Sequence, residues 1–566
     1  MDASRPILWP QPSNELLPHT LFRLAAQHPS ATYAEFPNNP DRIEEGYRKV
    51  TFAEVANAVY AIAWWIEENV GKLREEEKTG EQTLVYFGPN DIRFAVLCLG
   101  SVIAGYKMIF PSPRYGAEAL VKLIEVVGGK VMLTPEIPLP VVSEVLSKRF
   151  MKRLQIPSVE QLLKSTAQPY PYKKTFQEHS KEPLVCLHTS GTTGFPKPIL
   201  WNHEWANSMG RQMNIEAPPG YDVEHQLLYP SADGRGRRAL CQFPPFHASG
   251  MTGMIQFPLQ LGVTPIYPST WTTLAPGVEG VLKALDILAA RDGGIPVDTV
   301  VLTPPSVEYL GKSPEAVHRL SQRTPQVLWG GGSVSRAAGE AVAAHLSALT
   351  LLASTEQGIY PTIRRRDANA SQTGYQEYTT FHPAFNIKFD PVSALADGTT
   401  LYEGVMVRND GIEHDGYVQP IFSVFPDAKE RRVGDLFMQH AQDPALWKHY
   451  GRADDLLVFI TNEKFFPTPA EQRIASHPGV AEVLMVGTRR PEASLIVRLK
   501  DGVGVDDIWD TVEDVNKDSP VYARVAKEMI LVVQEPFPQT PKGSVQKRAL
   551  LDLYEKELDA LYAGRS

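Results

Sequence analysis

The apolar run Leu184 to Leu187 leads without a break into HTSGTTGFPKP. A short buried strand that delivers glycines and hydroxyls to its carboxyl end belongs in an open α/β sheet, where ligands bind beyond the strand ends. Between Thr189 and Lys197 lie two glycines, four Ser/Thr hydroxyls and a lysine. Glycine lets the backbone approach a ligand closely, and consecutive N–H groups and hydroxyls offer donors to an anion. The segment therefore suits a phosphate better than it suits the alternative, a Gly/Ser-rich surface turn. It is not a Walker A loop, because Pro196 comes five residues after Gly191 in place of glycine and Pro198 follows the lysine in place of Ser or Thr. Pro198 disfavours helical geometry at Lys197, and Pro196 has no N–H to donate, which predicts an extended segment around the lysine.

The rest of the chain repeats the strand-then-helix alternation. Thr83 to Gly88, Tyr106 to Ser112, Lys130 to Pro135 and Asp298 to Pro305 read as buried strands ending in Gly, Pro or Ser. Between them, Thr51 to Gly71 places Val55, Val59, Ala63 and Ile66 at helical spacing, opens with Thr51 followed three residues later by Glu54, and closes on glycine. This alternation predicts an α/β fold with largely parallel or mixed sheets. At 566 residues the chain exceeds what one core supports. The best boundary lies near HYGRADDLLVF, giving a large N-terminal body at 1–451 and a small α+β lid at 452–566 with strands such as EVLMVG and ASLIVRL.

Charge and cysteine content narrow the partners. A net charge of -9 without a long basic run gives no electrostatic footprint for nucleic acid or an anionic membrane. The three cysteines, Cys98, Cys186 and Cys241, are too few and scattered for a disulfide framework and predict a reducing, cytoplasmic setting. The N-terminus carries prolines and polar residues where a signal peptide needs an apolar block, and Phe94 to Tyr106 is too short to span a bilayer.

TSGTTGFPKPILWNH, with its Lys197 to His203 spacing, resembles the signature loop of the adenylate-forming superfamily of acyl-CoA synthetases, luciferases and peptide-synthetase adenylation domains. Other segments resemble that family's elements in the same order. The resemblance implies a pyrophosphate clamp of Thr189, Ser190, Gly191, Thr192, Thr193, Gly194 and Lys197. LLASTEQGIY implies Ser354 and Thr355 at the nucleotide and Glu356 at Mg²⁺, while LWGGGSVS implies Gly330, Gly331, Gly332 and Ser333 along the adenine and acid pockets. ERRVGDLF makes Asp435 the ribose anchor; HYGRADD makes Tyr450 and Arg452 nucleotide contacts and Asp454 the hinge. TPKGSVQKR resembles the closing element with the catalytic lysine. Strict alignment puts Ser544 at that position, so Lys542 is the first candidate and Lys547 the second. Asn462 stands at a usual glycine and Pro198 at another.

CQFPPFHASGMTG falls where the family builds the first wall of the acid pocket. Phe246 and His247 stand there, without the aspartate that would pair the ammonium of an amino acid, which implies an aryl or short apolar acid. The implied reaction is ATP- and Mg²⁺-dependent activation of a small-molecule carboxylic acid, with transfer to a phosphopantetheine or coenzyme A thiol. HTSGTTGFPKPI, STEQG, TPKGSVQ and the terminal LDLYEKELDALY most resemble the adenylation domain of fungal synthetase-like carboxylic acid reductases, which implies downstream carrier and reductase domains. The alternatives are a free-standing acyl-CoA ligase and a catalytically silent nucleotide-binding sensor. A serine hydrolase lacks support because no Gly-x-Ser-x-Gly elbow is present.

Overall fold

A computed structural model describes residues 7, 9, 14–39, 42–73, 82–190, 196–224, 236–268, 277–332, 334–366, 377–395, 398–411, 416–461, 463–539 and 545–563. The chain divides into two compact units: Met1–Thr189, Phe195–Asn386 and Val407–Lys429 form one, and Ser190–Gly194, Ile387–Met406 and Glu430–Ser566 the other.

The first unit is built on two twisted sheets. One has six strands in the order Lys152–Gln155, Gly129–Thr134, Thr83–Tyr86, Lys107–Ile109, Pro183–Ser190 and Pro196–Asn202, the first five running parallel. The central strand Thr83–Tyr86 is buried along its whole length, as a strand covered on both faces must be. The other has seven strands, and those of Ser347–Leu351, Gln326–Gly330, Thr299–Leu302, Arg237–Cys241, Val263–Ile266 and Thr32–Pro37 are parallel. Tyr47–Thr51 closes its edge antiparallel. The strands expected from the apolar runs all form, as Thr83–Tyr86, Lys107–Ile109, Gly129–Thr134 and Thr299–Leu302, each ending one to three residues before the expected end.

Helices cover these sheets. Phe52–Asn69 starts with a full capping box, the Thr51 hydroxyl accepting from the Glu54 N–H and the Glu54 carboxylate accepting from the Thr51 N–H. Its apolar side packs on Arg93–Ile103, every residue of which is buried. The apolar stretch Phe94 to Tyr106 is thus a core helix, and no helix among the described residues is long and apolar enough to cross a membrane.

The second unit holds neighbouring strands Ile387–Ala394, Thr400–Val407, Glu430–Gln439 and Trp447–Arg452, the first two antiparallel to each other and likewise the last two. It also holds a three-stranded sheet of Val480–Val486, Ala493–Leu499 and Val525–Val533. Helices Thr468–Ala475, Val505–Lys517, Lys547–Leu553 and Glu555–Ala563 complete it. Its core gathers Leu495, Val497, Ile508, Val512 and Met529, all fully buried. The architecture is α/β in the larger unit and α+β in the C-terminal part.

Candidate nucleotide and acid site

In the first unit the strand Pro183–Ser190 buries Leu184, Val185, Cys186 and Leu187 and emerges at Thr189. Gly191, Thr192, Thr193 and Gly194 lie outside the described residues. The chain continues as the strand Pro196–Asn202, so Lys197 is extended, as its flanking prolines require, and exposed. Asn202 caps the following helix, His203–Gln212, by accepting from the Trp205 N–H at 2.8 Å. His203 is buried and its pKa is pushed down to about 3, first by burial.

Two indoles join this strand and helix to the segment that carries Thr355 and Glu356. Trp201 and Trp205 are stacked, ring centroids 3.7 Å apart. Trp201 Nε1 donates to the backbone oxygen of Thr355 at 2.8 Å, and Trp205 Nε1 donates to that of Glu356 at 2.7 Å. Buried indole N–H groups need acceptors, and here they fix a turn. From the other side, Ser354 Oγ accepts from the Gln357 N–H at 3.1 Å, and the fully buried Gln357 accepts from the Ile421 N–H.

The glycine segment borders the strand that precedes this turn. Gly330 ends a buried strand and pairs in register with Leu351. A Cβ on Gly330 would stand 2.7 Å from the Leu351 oxygen, so the strands reach this spacing only with glycine. Gly331 and Gly332 are exposed beyond the strand end, and Ser333 lies outside the described residues.

Phe246 and His247 follow the parallel strand Arg237–Cys241. Phe246 is buried with the Arg114 guanidinium over its ring at 5.7 Å. His247 Nδ1 accepts from the Ser249 N–H at 3.3 Å and so caps a short helical turn, while its ring stacks against Phe243. A π-helix, Thr252–Leu261, follows directly and contains Pro258. Sequence reading did not single out this element. π-helical turns are rare and concentrate at functional sites.

In the second unit Asp435 is buried on the strand Glu430–Gln439, opposite Arg452 in register. Arg452 Nη1 donates to Asp435 Oδ1 at 2.8 Å, and His449 Nε2 stands 3.5 Å from the same oxygen. Burial alone would raise the Asp435 carboxyl. The hydrogen bonds and charge of His449 and Arg452 outweigh it, and the pKa falls below the usual aspartate value. Gly434 is left-handed at φ +71, and a Cβ there would meet Arg452 Nη2 at 2.8 Å. Tyr450 packs on Phe466 at 4.7 Å, and Asp454 is exposed in the 3-10 turn Ala453–Asp455.

Lys542, Ser544 and Asn462 lie outside the described residues. Lys547 opens the helix Lys547–Leu553 and is ion-paired with Asp455 at 2.9 Å. The structure therefore ties Thr355 and Glu356 to Trp201 and Trp205 in the first unit, pairs Gly330 with Leu351 there, and gathers Asp435, His449 and Arg452 in the second. His449 and the two tryptophans were not among the sequence candidates; the i, i+4 spacing of Trp201 and Trp205 was the available signal. A cavity of about 370 Å³ lined by Ala61, Trp65, Gln155, Ile156 and Leu162 contains none of these residues.

Mg²⁺ is typically held by one or two carboxylates together with substrate phosphates. Glu356 fits that role: its backbone is fixed by Trp205, and among the described residues no donor engages its carboxylate. Among the described residues no group of three or more His, Cys, Asp or Glu side chains forms an all-protein metal cage.

The AMP-binding enzyme family matches residues 21–376, and the AMP-binding enzyme C-terminal domain matches 454–566. The carboxylic acid reductase of Neurospora crassa is 29% identical over 95% of this chain and 50% of its own length. The adenylate-forming reductase Nps11 of Serpula lacrymans var. lacrymans is 26% identical over 98% of this chain and 50% of its own. The chain thus spans about half the length of these curated relatives. Among solved structures, ATP-bound MatB from Rhodopseudomonas palustris superposes with a TM-score of 0.66 at 14% identity, covering 96% of this chain and 100% of that one. This chain belongs to the AMP-binding enzyme family and is an ATP-dependent acid-adenylating enzyme.

Proposed function

We propose that the chain activates a non-amino carboxylic acid, aryl or short apolar, as its acyl-adenylate and passes the acyl group to the phosphopantetheine thiol of a downstream carrier domain. In this reading the transfer is the first step of an acid reduction completed by a reductase domain. The observation that supports it most is the pair of indole hydrogen bonds that hold Thr355 and Glu356 against the strand and helix following the Thr189 to Lys197 segment.

A carboxylate oxygen attacks the α-phosphorus of ATP; the new P–O bond forms as the bond to the β-phosphate oxygen breaks, and pyrophosphate departs with the electron pair. Both reactants are anions. At 4 Å two like charges repel by about 1 kcal/mol in water and about 4 kcal/mol at an effective dielectric near 20, so excluding water demands compensating cations. Mg²⁺ held by Glu356 would supply one such charge. Lys542, or Lys547 as the second candidate, supplies another. Thr189, Ser190, Thr192, Thr193 and Lys197 receive the pyrophosphate. Asp435 accepts hydrogen bonds from the ribose hydroxyls, and Tyr450, Arg452, Gly331, Gly332 and Ser333 bound the nucleotide. Phe246 and Gly330 wall the acid, with His247 at its carboxylate.

The acyl-adenylate is a mixed anhydride. A thiolate attacks its carbonyl, the acyl–oxygen bond breaks, and AMP leaves. For this step we assign the lid to 452–566, turning at Asp454. The three cysteines, buried and free, suit a reducing cytoplasm. Supplying the purified chain with ATP, an aromatic acid and either holo-carrier or free coenzyme A tests the acceptor. Acyl transfer to the carrier is expected; transfer to coenzyme A alone would make the chain an acyl-CoA ligase.

A further inference from the structure

His188 is the last residue before the hydroxyl-rich segment and is 8% exposed. Its Nε2 accepts from the Ser112 N–H at 3.0 Å. Its Nδ1 is buried and, among the described residues, meets no hydrogen-bond partner. A neutral imidazole has one N–H, and an Nε2 that accepts leaves that proton on Nδ1. Burial pushes the ring pKa down to about 4, so the neutral form prevails near pH 7. The result is a fixed N–H donor, shielded from water and unused among the described residues.

The surroundings hold that tautomer. Ser112 to Tyr115 forms a turn: the Tyr115 N–H donates to the Ser112 carbonyl oxygen at 3.3 Å and the Arg114 N–H to Ser112 Oγ at 3.4 Å. The turn presents the Ser112 N–H to His188 and sets the Tyr115 ring edge-on to the imidazole, centroids 5.4 Å apart. It also carries Arg114, whose guanidinium lies over Phe246. Buried donors without partners are uncommon in folded proteins and call for a ligand or another explanation. Here the donor stands at the carboxyl end of a parallel strand, where ligands of open α/β sheets bind.

We propose that His188 donates its Nδ1–H to an oxyanion of the bound reactants, making it a catalytic hydrogen-bond donor additional to the Thr189 to Lys197 segment. This rests on the acid-adenylating reading above. Two reactants carry such an oxygen, the nucleotide through its α-phosphate and the acid through its carboxylate, and both lie next to each other in the reaction. A donor already oriented and dry costs no reorganisation when charge develops, which is the condition for strong electrostatic stabilisation.

Histidine ¹⁵N resonances of the full chain, with His188 assigned by its loss in His188→Gln, test the proposal directly. The ligand-free protein is expected to show Nδ1 protonated and Nε2 bare. Added ATP or AMP should shift the His188 Nδ1 signal if the phosphate is the acceptor, and added benzoate should shift it if the carboxylate is. An Nε2–H tautomer, or a His188 signal unmoved by all three at concentrations that support exchange, would overturn the assignment. His188→Gln keeps an acceptor for the Ser112 N–H but lacks the Nδ1 donor, so acid-dependent pyrophosphate exchange should fall by roughly 10- to 100-fold. Exchange at the wild-type rate in this variant would defeat the His188 role alone. No exchange by the wild-type chain with any acid would defeat the adenylation reading itself.

Discussion

Trp201 Nε1 donates to the Thr355 backbone oxygen at 2.8 Å, linking two segments 154 residues apart in sequence. The bond fixes the turn that presents Glu356. Trp201→Phe keeps an aromatic ring but removes the donor and part of the buried indole, leaving the Thr355 carbonyl unpaired. We expect a stability loss of about 1–3 kcal/mol and a higher KM for ATP, with acid KM changed less. Chemical denaturation and exchange kinetics on the same variant check both.

Asp435 predicts a pH signature. Its folded pKa lies below the unfolded value, so the unfolded chain binds more protons in the window between the two. Its contribution is present above about pH 3.9, the unfolded aspartate value, and is lost as pH falls through the folded pKa. Denaturation midpoints of Asp435→Asn should therefore show a shallower acid limb than wild type, and the variant should bind ATP weakly at neutral pH. Equal acid limbs would show that His449 and Arg452 do not hold the carboxylate as described.

The two lysines of the closing segment give different predictions. Lys547 is ion-paired with Asp455, in the same turn as Asp454, whereas Lys542 is the first candidate for the catalytic lysine. Lys542→Ala should abolish adenylation while ATP still binds, and Lys547→Ala should retain adenylation within about tenfold, the scale of losing an exposed ion pair. Loss in Lys547→Ala with full activity in Lys542→Ala would exchange the assignments.

His247 caps its helical turn through Nδ1, leaving Nε2 as the donor edge of the ring. His247→Ala is expected to raise acid KM by at least tenfold, about 1.4 kcal/mol of binding, with ATP affinity nearly unchanged. Parallel losses for acid and ATP would assign the residue to structure.

The strands and the Thr51 capping box were legible in the sequence because apolar runs and cap spacing are local signals. The extended conformation at Lys197 was legible for the same reason, since two prolines dictate extension. The Trp201–Thr355 and Trp205–Glu356 bonds were not, because each joins an indole to a distant backbone oxygen whose residue identity carries no signal. His449 escaped for a related reason: only the hairpin register of Glu430–Gln439 with Trp447–Arg452 places it beside Asp435. The π-helix at Thr252–Leu261 also departs from any regular 3.6-residue reading, with Pro258 inside it.

Acid-dependent exchange of pyrophosphate into ATP measures adenylation itself. Across a panel of aryl, short aliphatic and α-amino acids, the purified chain should catalyse exchange with at least one aryl or short apolar acid and with none of the amino acids. No exchange with any acid, from a folded chain that still binds ATP, would contradict the account.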